Sequence, residues 1–212
     1  NAIFNIEVFE PAIASIPDDI NRCDTDRDGF IQFDLAAEQN STILSGFDPT
    51  VDLTAFEVIY FNDENEANTG GVSIPNLYTN QDAFIEEIIY ARVQNIAAPN
   101  TCFAITSFKL KVTDIPTPTQ PTEYRVCDDT TSGSDIDQKS SFLLNIKDAE
   151  ILIGVTNPSN YNISYHTDLV GAQTSSSTNA IDKNIEYEVT LSKTVFVRVE
   201  NIDNTACNDT SI

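Results

Sequence analysis

Basic residues are scarce in this 212-residue chain: 11 Lys and Arg stand against 33 Asp and Glu, a net charge of −22. A phosphate-binding face needs clustered cations, so nucleic acid is excluded as a partner. The same deficit argues against docking on anionic lipid. No apolar run approaches the ~18 residues of a membrane span, so direct membrane insertion is not expected. Met is absent altogether. No basic flank followed by an apolar stretch marks a signal peptide. We therefore expect an excerpt of a longer, processed chain. His166 is the only histidine, and no nucleophile motif surrounds it, so triad chemistry has little to build on. A surface position at a strand end is the expectation for it. No two cysteines share a C-x-x-C spacing, which argues against structural zinc. Hydrophobic residues, in contrast, make up 41% of the chain, with 12 Phe and 7 Tyr to furnish a core. That composition excludes a disordered chain.

The four cysteines, Cys23, Cys102, Cys127 and Cys207, reveal a period. Cys102 follows Cys23 at nearly the same distance as Cys207 follows Cys127, and other segments share the offset, which marks an internal repeat. Phe4-Asn5-Ile6-Glu7-Val8 matches Phe108-Lys109-Leu110-Lys111-Val112. Val58-Ile59-Tyr60 matches Ile163-Ser164-Tyr165, and Ile89 to Asn95 matches Val195 to Asn201, aligning Arg92 with Arg198. These segments alternate apolar and polar residues, the pattern of strands with one buried face. For the two arginines we expect a structural role, with the stem over apolar surface and the head paired to a carboxylate. Helix signals are few. Residues 82–90 could form a turn of helix, but 184–191 alternate cleanly, and we read both as strand.

The expected fold class is all-β: two tandem immunoglobulin-like β-sandwich repeats joined by a Pro-rich linker. Residues 1–16 read as the last strand and connector of a preceding repeat. That strand would expose an apolar stripe unless it pairs with the edge of a neighbouring domain or chain. Residues 17–115 form a complete repeat. Residues 116–122, rich in proline, read as a semi-rigid spacer. Residues 123–212 form a second repeat lacking its final strand.

Cys23 to Leu35, with the Ile-Leu-x-Gly, Pro75-x-x-Tyr78-Thr79-Asn80 and Ile-Tyr-x-Arg-Val segments that follow, resembles tandem extracellular repeats of very large Bacteroidetes surface proteins, which include gliding-motility adhesins and other type 9 secretion cargo. The resemblance implies a non-catalytic repeat region of a secreted cell-surface adhesin or filament. Its implied setting is extracellular, held to the outer membrane through other parts of the chain. Implied partners are neighbouring repeats, the type 9 secretion machinery during export, and surface polysaccharide or another cell. The alternative is a spacer or carbohydrate-binding accessory region of a secreted enzyme.

For a secreted chain, two cysteines per repeat favour oxidation. Cys23–Cys102 with Cys127–Cys207 keeps each bridge within a repeat and would add about 4 kcal/mol each through loop closure. Cys102–Cys127 across the linker is the competing arrangement. Asp24, Asp26 and Asp28, followed by Gly29, match the first half of an oxygen-rich Ca2+ loop, with the Phe30 carbonyl and Asp34 as further ligands. The bidentate Glu of an EF-hand is missing, and a solvated acidic turn accounts for the same residues. The second repeat loses the alternating acids. Asp129-Thr130-Thr131 matches a short bacterial O-glycosylation motif, placing Thr130 as its acceptor.

Overall fold

The computed structural model describes residues 3–210. It is all-β in character, with about a fifth of its residues in short helices. The chain divides into two compact units, Asn1–Val112 and Thr113–Ile212.

In the first unit, β1 (Ile20–Asp24) opens a four-stranded sheet, and β2 (Gln32–Asp34) leads into helix α1 (Leu35–Ile43). β3 (Phe56–Phe61), helix α2 (Glu64–Thr69), β4 (Leu77–Thr79), β5 (Glu87–Asn95) and β6 (Phe103–Asp114) follow. The larger sheet runs β1-β6-β5-β3, while β2 and β4 form a two-stranded sheet. Phe33 and Tyr78 of the small sheet share one core with Tyr60, Ile89, Ala91, Val93, Phe108, Leu110 and Val112 of the large one. The alternation that places these residues on one face makes the unit a sandwich. Tyr60 is fully buried, and its hydroxyl donates to the Leu35 carbonyl at 2.9 Å, which ties α1 to the sheet.

The second unit repeats the plan. It contains β7 (Lys139–Phe142), α3 (Asp148–Ile151), β8 (Tyr161–His166), α4 (Leu169–Thr174), β9 (Ala180–Ile181), β10 (Tyr187–Thr190), β11 (Phe196–Asn201) and β12 (Asn208–Asp209). The sheets are β12-β11-β8-β9 and β10-β7. Arg92 pairs across the ladder with Ile59, and Arg198 with Ser164, so the repeat register holds at the level of strand pairing. Tyr165 takes the place of Tyr60, donating its hydroxyl to Asp148 at 2.8 Å. In the 82–90 segment only the part from Glu87 is strand, and no helix forms there.

Three expectations are corrected. Residues 3–19 form no strand, so the strand expected over residues 1–10 is not found among the described residues; the first two lie outside the described range. Its stripe stays in solvent, with Ile3, Phe4, Ile6 and Val8 all more than 80% exposed. A strand needs a ladder partner for its backbone groups, and no described strand pairs with this segment. Residues 116–122, expected as a semi-rigid spacer, are tied by hydrogen bonds to the second unit. The Thr119 amide donates to Ile151, and the Thr122 amide to the Glu150 carboxylate at 2.7 Å. Ser15 makes the matching bond to Ile43 in the first unit, so each connector is built into the repeat that follows it. His166 is buried rather than on the surface. It occupies the inward strand-end position that Phe61 fills in the first repeat, with Nε2 2.9 Å from the Ser164 hydroxyl. Burial, with the nearby Arg198 charge, pushes its imidazolium form below the ordinary histidine range.

Candidate functional site

In each repeat a cysteine-bearing loop follows the strand that carries the buried arginine, and that arginine holds the loop. In the first repeat the Asn95 amide donates to the Cys102 carbonyl at 2.9 Å, closing the turn between β5 and β6. Arg92, 1% exposed, spreads its guanidinium beneath. Nη2 donates to the Pro99 carbonyl, Nη1 to the Ala67 and Asn68 carbonyls at the end of α2, and Nε to Gln94 at 2.8 Å. The guanidinium carbon lies 3.6 Å from the centre of the Phe103 ring, a cation–π contact. The second repeat uses the same scheme. Arg198 donates to Thr205, Ala172 and Gln173 carbonyls and, through Nε, to Glu200 at 2.6 Å. The Asn201 amide donates to the Cys207 carbonyl at 2.9 Å. The structural role expected of both arginines is what they perform. Only Arg198 bonds a carboxylate, however; in the first repeat Gln94 stands there and passes the connection on to Glu57 at 2.7 Å. Gly70 ends α2 in the αL conformation at φ +68°, which favours glycine; a Cβ there would make only ordinary contact with the Arg92 guanidinium, at 3.7 Å.

The cysteines divide unexpectedly. Cys23 on β1 and Cys207, fully buried in its loop, are disulfide-bonded. Half-buried Cys102 and exposed Cys127 are free thiols. Neither Cys23–Cys102 nor Cys127–Cys207 is formed, and Cys102–Cys127 is not formed either. Equal separations within the two repeats follow from periodicity alone, so they carry no information about which cysteine pairs with which.

The acidic turn after β1 is organised around Asp24. This buried carboxylate accepts from the amides of Asp26, Arg27 and Gly29, the last at 2.6 Å. Burial works to raise its pKa, but these donors hold it below the usual carboxylate value. Asp26 moves the other way, because its carboxyl hydrogen-bonds the Asp24 carboxylate and feels the Asp28 charge. One oxygen from each of Asp24, Asp26 and Asp28 lies within 4.8 Å of the other two, the arrangement a hard cation would need. Asp34 is not one of this trio, whereas Phe30 adjoins it through its amide. Asp34 caps α1, accepting from the Ala37 amide at 3.0 Å, and the Phe30 amide donates to Asp28. Asn80, which the motif reading left without a role, clamps the turn by donating to the Gly29 carbonyl and accepting from the Ile31 amide. Gly29 is required there: at φ +85° a side chain is strained, and its Cβ would meet that of Ala83 at 2.4 Å.

In the second repeat the alternating acids are replaced by local turns. Asp128 accepts from the Gln138 amide at 2.7 Å, and Asp129 from the amide and hydroxyl of Thr131. Thr130 opens a short 3₁₀ turn, Thr130–Ser132, and is exposed.

One protein family's model matches both repeats, over residues 19–116 and 123–212; it is described as the Flavobacterium inter-domain disulphide bond domain. No curated protein matches the chain.

Proposed function

We propose, for a chain that belongs to the Flavobacterium inter-domain disulphide bond domain family, that it is a load-carrying repeat region of a secreted cell-surface adhesin or filament, serving attachment or gliding. In this reading Cys23 of the first repeat is bonded to Cys207 of the second, so a covalent latch runs alongside the peptide link. The observation that carries it is that the two oxidised cysteines belong to different repeats while Cys102 and Cys127 are thiols. An oxidising, extracellular setting is where such a bond persists. A non-catalytic role is supported by the burial of the only histidine within β8. Alkylation under native, non-reducing conditions followed by peptide mapping tests the latch. It should recover one cross-linked peptide joining Cys23 to Cys207, with label on Cys127. A cross-linked Cys23–Cys102 or Cys127–Cys207 peptide would refute it.

We further propose that Ca2+ tightens the acidic turn of the first repeat. Three carboxylates this close repel one another until a cation reverses the sign. Extracellular sites work at dissociation constants on the order of 10⁻⁴–10⁻³ M. About ten-fold saturation would add roughly 1.4 kcal/mol to the native state. Chelation should therefore lower the melting temperature of the first repeat, and Asp26→Ala should abolish that response. Superimposable melts with and without chelator would leave a plain acidic turn.

A further inference from the structure

The chain's single histidine, His166, is 1% exposed and shares its surroundings with a buried arginine. Strand alternation puts His166 on the same face of the sheet as Ser164, and Arg198 stands across the ladder from Ser164. Ile163, Tyr165, Val197 and Val199 take the other face and form the core. Helix α4 covers the His166 side. Its Ala172 and Gln173 carbonyls accept from Arg198, and Gly171 and Ala172 are its buried residues. The first repeat has α2 in the matching place, with the Ala67 carbonyl on Arg92, and Phe61 where the second has His166. A phenyl ring under a helix asks nothing of its neighbours, whereas an imidazole does.

This site suits only the neutral ring. The Ser164 hydroxyl, 2.9 Å from Nε2, can serve as donor or acceptor. Among the described residues none makes a hydrogen bond of good geometry to the buried Nδ1. An imidazolium needs acceptors at both nitrogens and a counter-charge. Arg198 brings a charge of the same sign. The two nearby carboxylates are already committed. Glu200 accepts from Arg198 Nε at 2.6 Å, while Asp168 accepts from the Gly171 amide at 2.7 Å and from the Asn179 side chain. The residues of α4 itself bear no charge, and neither do those of β9, whose Ala180 pairs with His166. Burial is the largest cause that disfavours the imidazolium, and Arg198 is the second; Asp168, the Ser176 backbone and Glu200 oppose them without reversing the outcome.

We infer that His166 is an acid-operated release for α4 and, through Arg198, for the loop that carries the disulfide-bonded Cys207. A charged ring is not accommodated under the closed helix, so acid favours the form in which α4 has lifted. Lifting it takes the Ala172 and Gln173 carbonyls away from the guanidinium that also holds the Thr205 carbonyl, two residues before Cys207. The first repeat, with Phe61, has no such response. The closed form holds the imidazole below its ordinary value of 6.5, so the open form binds the extra proton. Stability is therefore complete above that value and is lost as pH falls from it toward the closed-state value. One proton taken up on opening raises the open population by up to about 30-fold at pH ~5.

The test uses the whole oxidised chain. With one histidine per molecule, the imidazole proton resonances titrate free of overlap from another, and in the folded chain they should titrate below 6.5. Amide-exchange protection, referred to unstructured peptide at each pH, should fall at Ala172 and Cys207 by about ten-fold or more between pH ~7.5 and pH ~5, while Ala67 and Cys102 keep theirs. His166→Phe should make the second repeat as insensitive as the first. His166→Gln, neutral and smaller, checks the same point should the larger ring fail to fit. An imidazole that titrates at or above its ordinary value in the folded chain overturns the proposal. So do protection that is unchanged by acid, acid losses that are equal in both repeats or survive both substitutions, and a loss at Ala172 that leaves Cys207 protected.

Discussion

Pulled from its two ends, the oxidised chain is expected to lengthen by less than ~10 nm, whereas the reduced chain should yield ~60 nm more as both repeats unravel. The arithmetic is that of contour length, roughly 3.3–3.6 Å per residue. With Cys23 joined to Cys207, force passes through the sulfur–sulfur bond and bypasses everything between them. Only the segments outside the two cysteines remain to be straightened, and residues 3–19 already lack regular structure. Bridges confined to single repeats would behave differently, because the residues between Cys102 and Cys127 would then bear load and add about 8 nm. Cys23→Ser should convert the oxidised trace into the reduced one. Equal extension in the two redox states would sink the latch. The bond is also expected to act weakly on whichever repeat melts first: it closes a loop spanning both units, so its entropy is collected only once both are unfolded.

Arg198→Ala is expected to cost the second repeat ~3–5 kcal/mol, the penalty for stranding one partner of a buried ion pair. Arg198 and Glu200 are only 6% and 12% exposed at their side chains, so solvent does little to screen the loss. Three carbonyls, of Ala172, Gln173 and Thr205, lose their donor in the same step. Arg92→Ala should cost less, because Gln94 is neutral and keeps its bond to Glu57. Removing the stranded charge, in Arg198→Ala with Glu200→Ala, should recover part of the stability. Calorimetry of the whole chain reads all three, since the two units are separately compact and one serves as reference for the other. Equal losses from Arg92→Ala and Arg198→Ala would mean that the carbonyl contacts, not the ion pair, carry the energy.

The repeat, its phase and most strands were legible because they depend on period-2 alternation and on exact recurrence, both written in the residue order. Arg92 and Arg198 stood out for the same reason. The helices did not. α2 and α4 span six residues each and owe their starts to the carboxylates of Asp63 and Asp168, signals that disappear in a chain with acids everywhere. Cysteine partnership was hidden because it is set by tertiary placement, which the recurrence of the cysteines along the chain does not encode. The burial of His166 was readable only by aligning it with Phe61, and a polar residue at a core position argued against looking there. Of the acidic turn, Asp24, Asp26 and Asp28 were visible as a motif. Asp34 was not separable from them by spacing, since only the start of α1 shows that its carboxylate is already committed.

The way each connector is built into its following repeat also defines the unit of inheritance. Thr119 and Thr122 are bonded to Ile151 and Glu150, and the Asp114 carbonyl lies 3.5 Å from the Asn201 amide nitrogen, as the Glu10 carbonyl lies 3.2 Å from that of Asn95. A gene segment duplicated or excised at the prolines would part a repeat from its own lead-in. The module that can be copied whole begins before them, near Val112 and Thr113, at the end of a strand that serves the repeat upstream. Lengthening such a protein by recombination thus keeps its folds intact only when the crossover falls inside that strand's last residues, at corresponding positions in both copies.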